Sequence, residues 1–313
     1  MSETTPKVII HGGAGPALAD PSALGAIRKE LHTIVESVYG QAQQGTSALD
    51  CVIYGCQQLE ANPRFNAGYG SVLQSDGQVR MSAGLMDGAR QSFSGVINTS
   101  RIAHPIDLAA FLQSSSDRVL SEVGALELIR ELGLPLFDPI TPLRLQEWMA
   151  SRQENFLQAM AGVVAEDSRA RRGTIGVVVL DGHGQLAAGT STGGKGLERL
   201  GRVSDAAMPA GNYANKFAAV SCTGIGEDII DECLAVRLVL RITDGMELGA
   251  AFAKSFAEAA HNQRDFGAIA ITQRGEVAWG KTSDMLLAAY RTGTTQDDTL
   301  DLGVGPLTGV VLL

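Results

Sequence analysis

Apolar residues along this chain recur with two periods, and the changes of period lay out its elements. The run KVIIHGGAGP reads as a short apolar strand, Lys7 to His11, entering a glycine turn that Pro16 stiffens. Residues 22–44 then carry apolar positions three and four apart, as a helix requires. A second helix follows in TSALDCVIYGCQQLE, with Thr46 or Ser47 as its N-cap. GSVLQSDGQVRMSAGLMDG alternates about an Asp76-Gly77 turn signal and is expected to form a hairpin, and FSGVINTSRI a further strand.

From His104 to about Val164 the period returns to that of helices, until AEDSRARRG interrupts it with charge and no apolar rhythm. This stretch, about 165–173, is the one internal segment expected to be a mobile linker. Beyond it, TIGVVVLDGHGQLAAGTST predicts a hairpin around Asp181-Gly182 and FAAVSCTG a strand. Helices are expected over about 227–262, and GAIAITQRGEVAWG closes the pattern as a last hairpin. Alternating blocks of strands and helices describe a layered α/β or α+β protein without internal repeats.

Composition narrows the chemistry. With 313 residues and 45% hydrophobic content the chain can bury a large core, and 37 glycines allow close backbone approach to a ligand. A net charge of −9 argues against nucleic acid or anionic membrane as a partner and favours small molecules. The N-terminal residues lack a basic segment followed by an apolar one, and no run reaches a membrane span, so a cytoplasmic location is expected. Cys51, Cys56, Cys222 and Cys233 have no paired spacing and are expected as reduced thiols.

The familiar motifs fail one by one. GTSTGGKG, Gly189 to Gly196, nearly matches a phosphate-binding loop, but Gly196 stands where a magnesium-binding hydroxyl is needed. HGGAGP lacks dinucleotide-binding spacing, and His11, His32, His104, His183 and His261 form no metal-ligand pattern. There is no nucleophile elbow, and Cys222 reads as a buried, inert thiol. What remains is Thr174, Thr192 and Thr223, each beside glycine at a strand end. Hydroxyls there are often turn chemistry only. A threonine that becomes a chain N-terminus, however, carries its own base, an α-amine with an ordinary pKa of about 7.7 to 8.0. The linker ending in Gly173 is a suitable place to break the chain and create that terminus.

Motifs in the right order along nearly the whole chain complete this picture: HGGAG, LEANPRFNAGYGS, LMDG, GTIG, TSTGG, GRVSD and YANKFAAVSCTGIGE. The sequence resembles the plant-type asparaginases and isoaspartyl peptidases, which are N-terminal-nucleophile hydrolases. The resemblance implies an α+β fold, a four-layer αββα sandwich, made as a precursor that cleaves itself between Gly173 and Thr174. Residues 1–173 and 174–313 would then be two subunits of one structural domain. It implies Thr174 as nucleophile and, through its freed amine, as base, with Thr192 orienting it. Thr223 and Gly224 would form the oxyanion hole. Arg202 would hold the substrate's α-carboxylate and Asp205 its α-ammonium, with Gly226 in the same wall.

By the same likeness the backbone carbonyls of Leu59, Glu60, Asn62, Phe65, Ala67 and Tyr69 would bind a structural sodium ion, no cofactor would serve catalysis, and two cleaved αβ units would pair as a homodimer. Gly173 before the threonine favours the isoaspartyl peptidase branch over glycosylasparaginases and threonine aspartases, where aspartate usually stands there. The implied activity is hydrolysis of β-aspartyl dipeptides, with L-asparaginase activity beside it or in its place.

Two departures bear on the substrate. SDAAMPAGNYA is slightly shorter than the family's usual segment, and GIGEDIIDE is more acidic, placing Asp228, Asp231 and Glu232 after the oxyanion motif. Acids favour a helix N-terminus in any protein. The alternative is a leaving-group pocket suited to a basic side chain, as in β-Asp-Arg or β-Asp-Lys. The competing classes are a nucleotide binder built on the phosphate-loop-like stretch and an uncleaved relative that only binds ligands.

Overall fold

A computed structural model describes residues 4–17, 22–160 and 173–311 of the chain. In chain order it places β1 (Lys7–Gly15), α1 (Ser22–Gln43), α2 (Ala48–Ala61), β2 (Met81–Asp87), β3 (Ser92–Thr99), α3 (Pro105–Leu112), β4 (Val119–Leu120), α4 (Glu122–Glu131) and α5 (Pro142–Met160). The second half adds β5 (Ile175–Leu180), β6 (Leu186–Thr192), β7 (Asn212–Ala214), β8 (Ala218–Gly224), α6 (Gly226–Glu232), α7 (Leu234–Thr243), α8 (Leu248–His261), β9 (Phe266–Thr272), β10 (Val277–Lys281), β11 (Met285–Thr292), β12 (Thr295–Asp298) and β13 (Leu307–Val311).

The strands form two sheets, ordered β12-β11-β1-β5-β6-β2-β3-β4 and β13-β10-β9-β8-β7. Strand alternation explains how they stack. On β5, Ile175, Val177 and Val179 pack with α1 and α2 residues such as Leu31, Val38 and Val52. Val178 and Leu180 point the other way and meet Ala219, Ile269 and Ile271 of the smaller sheet. That sheet's opposite face, with Val220, Cys222, Ala268 and Ala270, buries Leu238, Phe252 and Phe256 of α7 and α8. The result is helices, sheet, sheet, helices: the expected αββα sandwich.

Local signals account for several elements. Ser47 caps α2, its hydroxyl accepting from the Asp50 N–H at 3.2 Å. Asp181 closes the β5–β6 turn by accepting from the His183 and Gln185 N–H groups, both at 2.9 Å. Three expectations need correction. Asp76-Gly77 makes an isolated turn, with Gly77 N–H bonded to the Gln74 carbonyl at 2.9 Å, but no hairpin. The strand β2 starts only at Met81 and pairs instead with β3. Strand β1 does not stop at His11 but runs to Gly15, because a bulge between His11 and Ala14 lets it keep pairing with β11. Past the last hairpin, where no strands were expected, β11, β12 and β13 form, with β12 on β11 and β13 on β10. The proposed linker lies outside the described residues except for Gly173.

Candidate active site

The inner faces of both sheets change character at one end of the sandwich. Moving along the inward positions of β6, apolar Leu186 and Ala188 give way to Thr190 and Thr192; on β8, Ala219 gives way to Ser221 and Thr223. The β5 pairing Ile175↔Ser191 sets the residue before it, Thr174, opposite Thr192. Side chains at paired positions share a face, and the Thr174 hydroxyl donates to Thr192 Oγ1 at 3.2 Å. Thr192 Oγ1 also accepts from the Gly194 N–H at 3.1 Å. From the other sheet, Thr223 donates to the carbonyl of Thr174 at 3.2 Å and accepts from the Ala14 N–H at 3.1 Å. All three threonines are buried, Thr174 least so at 6% exposure.

A residue not singled out from sequence completes this centre. His11 Nδ1 lies 2.9 Å from the Thr174 carbonyl and its Nε2 2.9 Å from Ser221 Oγ, which lies 2.7 Å from Thr190 Oγ1. Full burial pushes the His11 pKa down to about 3, against the opposing pull of the Thr174 carbonyl, so the ring is neutral near pH 7. A carbonyl can only accept, so Nδ1 carries the proton and Nε2 accepts from Ser221. Thr174 is thereby held by its backbone from both sheets. The contact exists because residue 176 is glycine: any Cβ there would collide with Ser221 Oγ and His11 Nε2. The signal available in sequence was HGGAG itself, whose histidine falls on the inward face of β1.

The charged residues gather beside Gly224. That glycine has φ of 135°, and a Cβ on it would stand 2.5 Å from Phe266 Cα, so no other residue fits without movement. Two residues on, Gly226 opens α6 with its Cα toward Arg202 and Asp205. Asp205 is 2% exposed, and among the described residues its Oδ2 has no hydrogen-bond partner. Burial raises its pKa to about 6 although Arg202 pulls the other way. Arg202 donates from Nε and Nη2 to Glu227, at 3.0 Å each. Burial alone would raise the Glu227 pKa, but the hydrogen bonds and charge of Arg202 hold it down at about 2. Glu227 was not picked out from the sequence, being hidden in the acidic run it begins.

The other acids of that run pair with the chain's own cations. Arg264 donates to Asp228 at 3.1 Å and lies 3.0 Å from Asp231 and 3.5 Å from Glu232, which also binds Arg237. Asp228 further accepts the Asp265 N–H at 2.9 Å. These three carboxylates thus share the cations Arg264 and Arg237.

Asn66 ties the NPRFNAG loop to the centre: its side chain donates to the Gly194 carbonyl at 2.6 Å, and its own carbonyl accepts the Gly193 N–H at 2.9 Å. In that loop the carbonyls of Leu59, Glu60 and Asn62 accept from Asn62, Tyr69 and Phe65 N–H groups, and those of Glu60 and Phe65 crowd Gly68 and Gly70. Among the described residues no cluster of histidine, cysteine, aspartate or glutamate could hold a metal. The phosphate-loop reading finds no support, since residues 197–204 are not helical and Lys195 turns to Glu227.

Comparison with known proteins agrees with this geometry. Residues 4–301 match the asparaginase family. The chain belongs to that family of hydrolases. Among its relatives in the family is the isoaspartyl peptidase/L-asparaginase of Nostoc sp., 59% identical over 99% of each chain. The protein of the same name from Synechocystis sp. is 60% identical over 96% of this chain and 92% of its own. The plant-type L-asparaginase of Pyrococcus horikoshii is 34% identical over 90% of this chain and 95% of its own. Among the described residues no helix is long and apolar enough to cross a membrane.

Proposed function

We propose that the protein is an isoaspartyl dipeptidase with L-asparaginase activity, activated by cleavage between Gly173 and Thr174. The observation that carries this reading is the meeting of Thr174 with Thr192 at 3.2 Å and with Thr223 through its carbonyl, at the head of a buried strand. The freed Thr174 amine takes the proton of its own hydroxyl as Oγ1 attacks the substrate's β-carbonyl carbon. The Thr223 hydroxyl and Gly224 N–H receive the developing oxyanion. Returning that proton to the leaving amine breaks the C–N bond and leaves a β-aspartyl ester on Thr174. Water, deprotonated by the same amine, hydrolyses this ester and releases aspartate.

Arg202 serves the α-carboxylate, and the unpaired Oδ2 of Asp205 the α-ammonium. The loop at Leu59, Glu60, Asn62, Phe65, Ala67 and Tyr69 would hold sodium through its carbonyls, stiffening the ground beneath Asn66. Pairing of cleaved αβ units and a cytoplasmic location belong to the same reading. Because Asp228, Asp231 and Glu232 are paired internally, neutral leaving groups fit at least as well as basic ones.

The test is denaturing electrophoresis with N-terminal sequencing, followed by turnover of β-Asp-Leu, β-Asp-Arg and asparagine. Two fragments, one beginning at Thr174, and release of aspartate are expected. A permanently single chain that ignores all three substrates would refute the proposal.

A further inference from the structure

The lysine of the glycine-rich stretch has no part in this chemistry, yet it reaches the residue that holds the clamp. Lys195 Nζ lies 3.1 Å from Glu227 Oε1, and Glu227 grips Arg202 by its Nε and Nη2 edge. Lys195 stands three residues past the end of β6, and Glu227 three residues past the end of β8. The three charges therefore tie the strand that carries Thr192 to the strand that carries Thr223.

Among the described residues Arg202 makes its hydrogen bonds through Nε and Nη2, which leaves the two Nη1 protons for another acceptor. A Cβ on Gly226 would stand 2.5 Å from Nη2 and 2.7 Å from Asp205 Oδ1, so the bare glycine keeps open the lane between the two clamp residues. Charge decides the rest. Arg202 and Glu227 alone cancel, and a carboxylate approaching the guanidinium would feel Glu227 behind it. Asp205 and Glu198 also lie within reach of Arg202, and Lys195 offsets one of these negative charges. Its side chain is 33% exposed and that of Glu227 46%, so the influence is moderate and screened by salt.

We propose that Lys195 is a positioning residue that sets affinity for the substrate's α-carboxylate, by sharing Glu227 with Arg202 and so holding that acid on the far edge of the guanidinium. This rests on the assignment of Arg202 above. A lysine that only decorates the surface would leave affinity unchanged when removed.

The experiment measures L-aspartate binding by calorimetry and KM for β-Asp-Leu, in cleaved wild type, Lys195→Met, Lys195→Arg, Glu227→Gln and the Lys195→Met/Glu227→Gln pair, at low and high salt. Melting temperature and release of the Thr174 terminus check that each variant is folded. Lys195→Met is expected to weaken aspartate binding and raise KM about three- to tenfold at low salt, with kcat changed less than about twofold. The effect should shrink at high salt, be rescued by Lys195→Arg and vanish in the Glu227→Gln background. Unchanged affinity at low salt, or an equal loss with Glu227 absent, would overturn it. Wild type that binds aspartate but hydrolyses nothing would sink the proposed function while leaving this inference standing.

Discussion

Thr174, Thr192 and Thr223 meet through neutral hydrogen bonds between two sheets, whereas Arg202, Asp205, Glu227 and Lys195 meet through charge at loop and helix ends. Only Ile225 separates Gly224 of the first group from Gly226 of the second. The hydroxyl centre is buried, and its neighbour His11 is kept neutral by burial. The charged clamp is graded, from Asp205 at 2% exposure to the half-open side chain of Glu227. The difference teaches that bond-making and recognition can respond to different variables. Hydrogen-bond geometry and, in the proposed mechanism, the protonation of the freed Thr174 amine govern the first, whereas ionic strength and the Asp205 carboxyl bear on the second.

Breaking the hydroxyl side has the largest expected effect. Thr174→Ala should abolish both chain cleavage and turnover, a loss of at least about 10⁴-fold, because one hydroxyl performs both attacks. Electrophoresis and aspartate release check this, and a Thr174→Ala protein that still matured would remove Thr174 as nucleophile. Thr223→Val, nearly the same size, should lower kcat by about 10² to 10³-fold if its hydroxyl serves the oxyanion, with KM little changed. A rise in KM with kcat unchanged would place Thr223 with the clamp instead.

On the charged side, Arg202→Leu should raise KM with a drop in kcat/KM of about 10- to 150-fold, the loss of a charge-assisted hydrogen bond. Steady-state kinetics in dilute buffer check it. The smallest and sharpest effect concerns pH. Burial raises the folded pKa of Asp205 to about 6, so the ionised form that the proposed function sets against the substrate's ammonium is lost as pH falls through that value. L-aspartate affinity should therefore weaken about tenfold per unit below pH 6, and Asp205→Asn should flatten that limb. The same sign makes ionisation of Asp205 cost stability as pH rises from its unfolded value to about 6, a cost a bound ammonium relieves. A pH-independent affinity in wild type would break the contrast between the two groups.

Much of this was legible before any coordinates. Alternation of apolar residues on β5, β6 and β8, helical spacing in α1 and α2, and the turn at Asp181 are short-range properties, decided by neighbours two to four residues apart. The three threonines could be picked out because each stands beside glycine at a strand end, and motif order named their family. The Asp76-Gly77 hairpin failed because a turn signal says where the chain reverses, and not which strand will pair across it. The strand β11 escaped because its partner β1 stands at the other end of the chain, and β12 and β13 because they are edge strands whose pairing depends on where β11 and β10 lie.

The sequence by itself therefore determined most of the elements, the family and the types of group available: three hydroxyls, an arginine and an aspartate. Only the tertiary structure decided which side chains meet. Pairing of β1 with β5 carried His11 to Thr174 across 163 positions, and stacking of the two sheets set Thr223 on the same carbonyl. It turned Asp228, Asp231 and Glu232 onto Arg264 and left Glu227 and Lys195 to the clamp. The physical reason is that a charged or polar group takes whatever partner burial brings within hydrogen-bond distance, and that partner is set by register and layer packing, which no local pattern encodes.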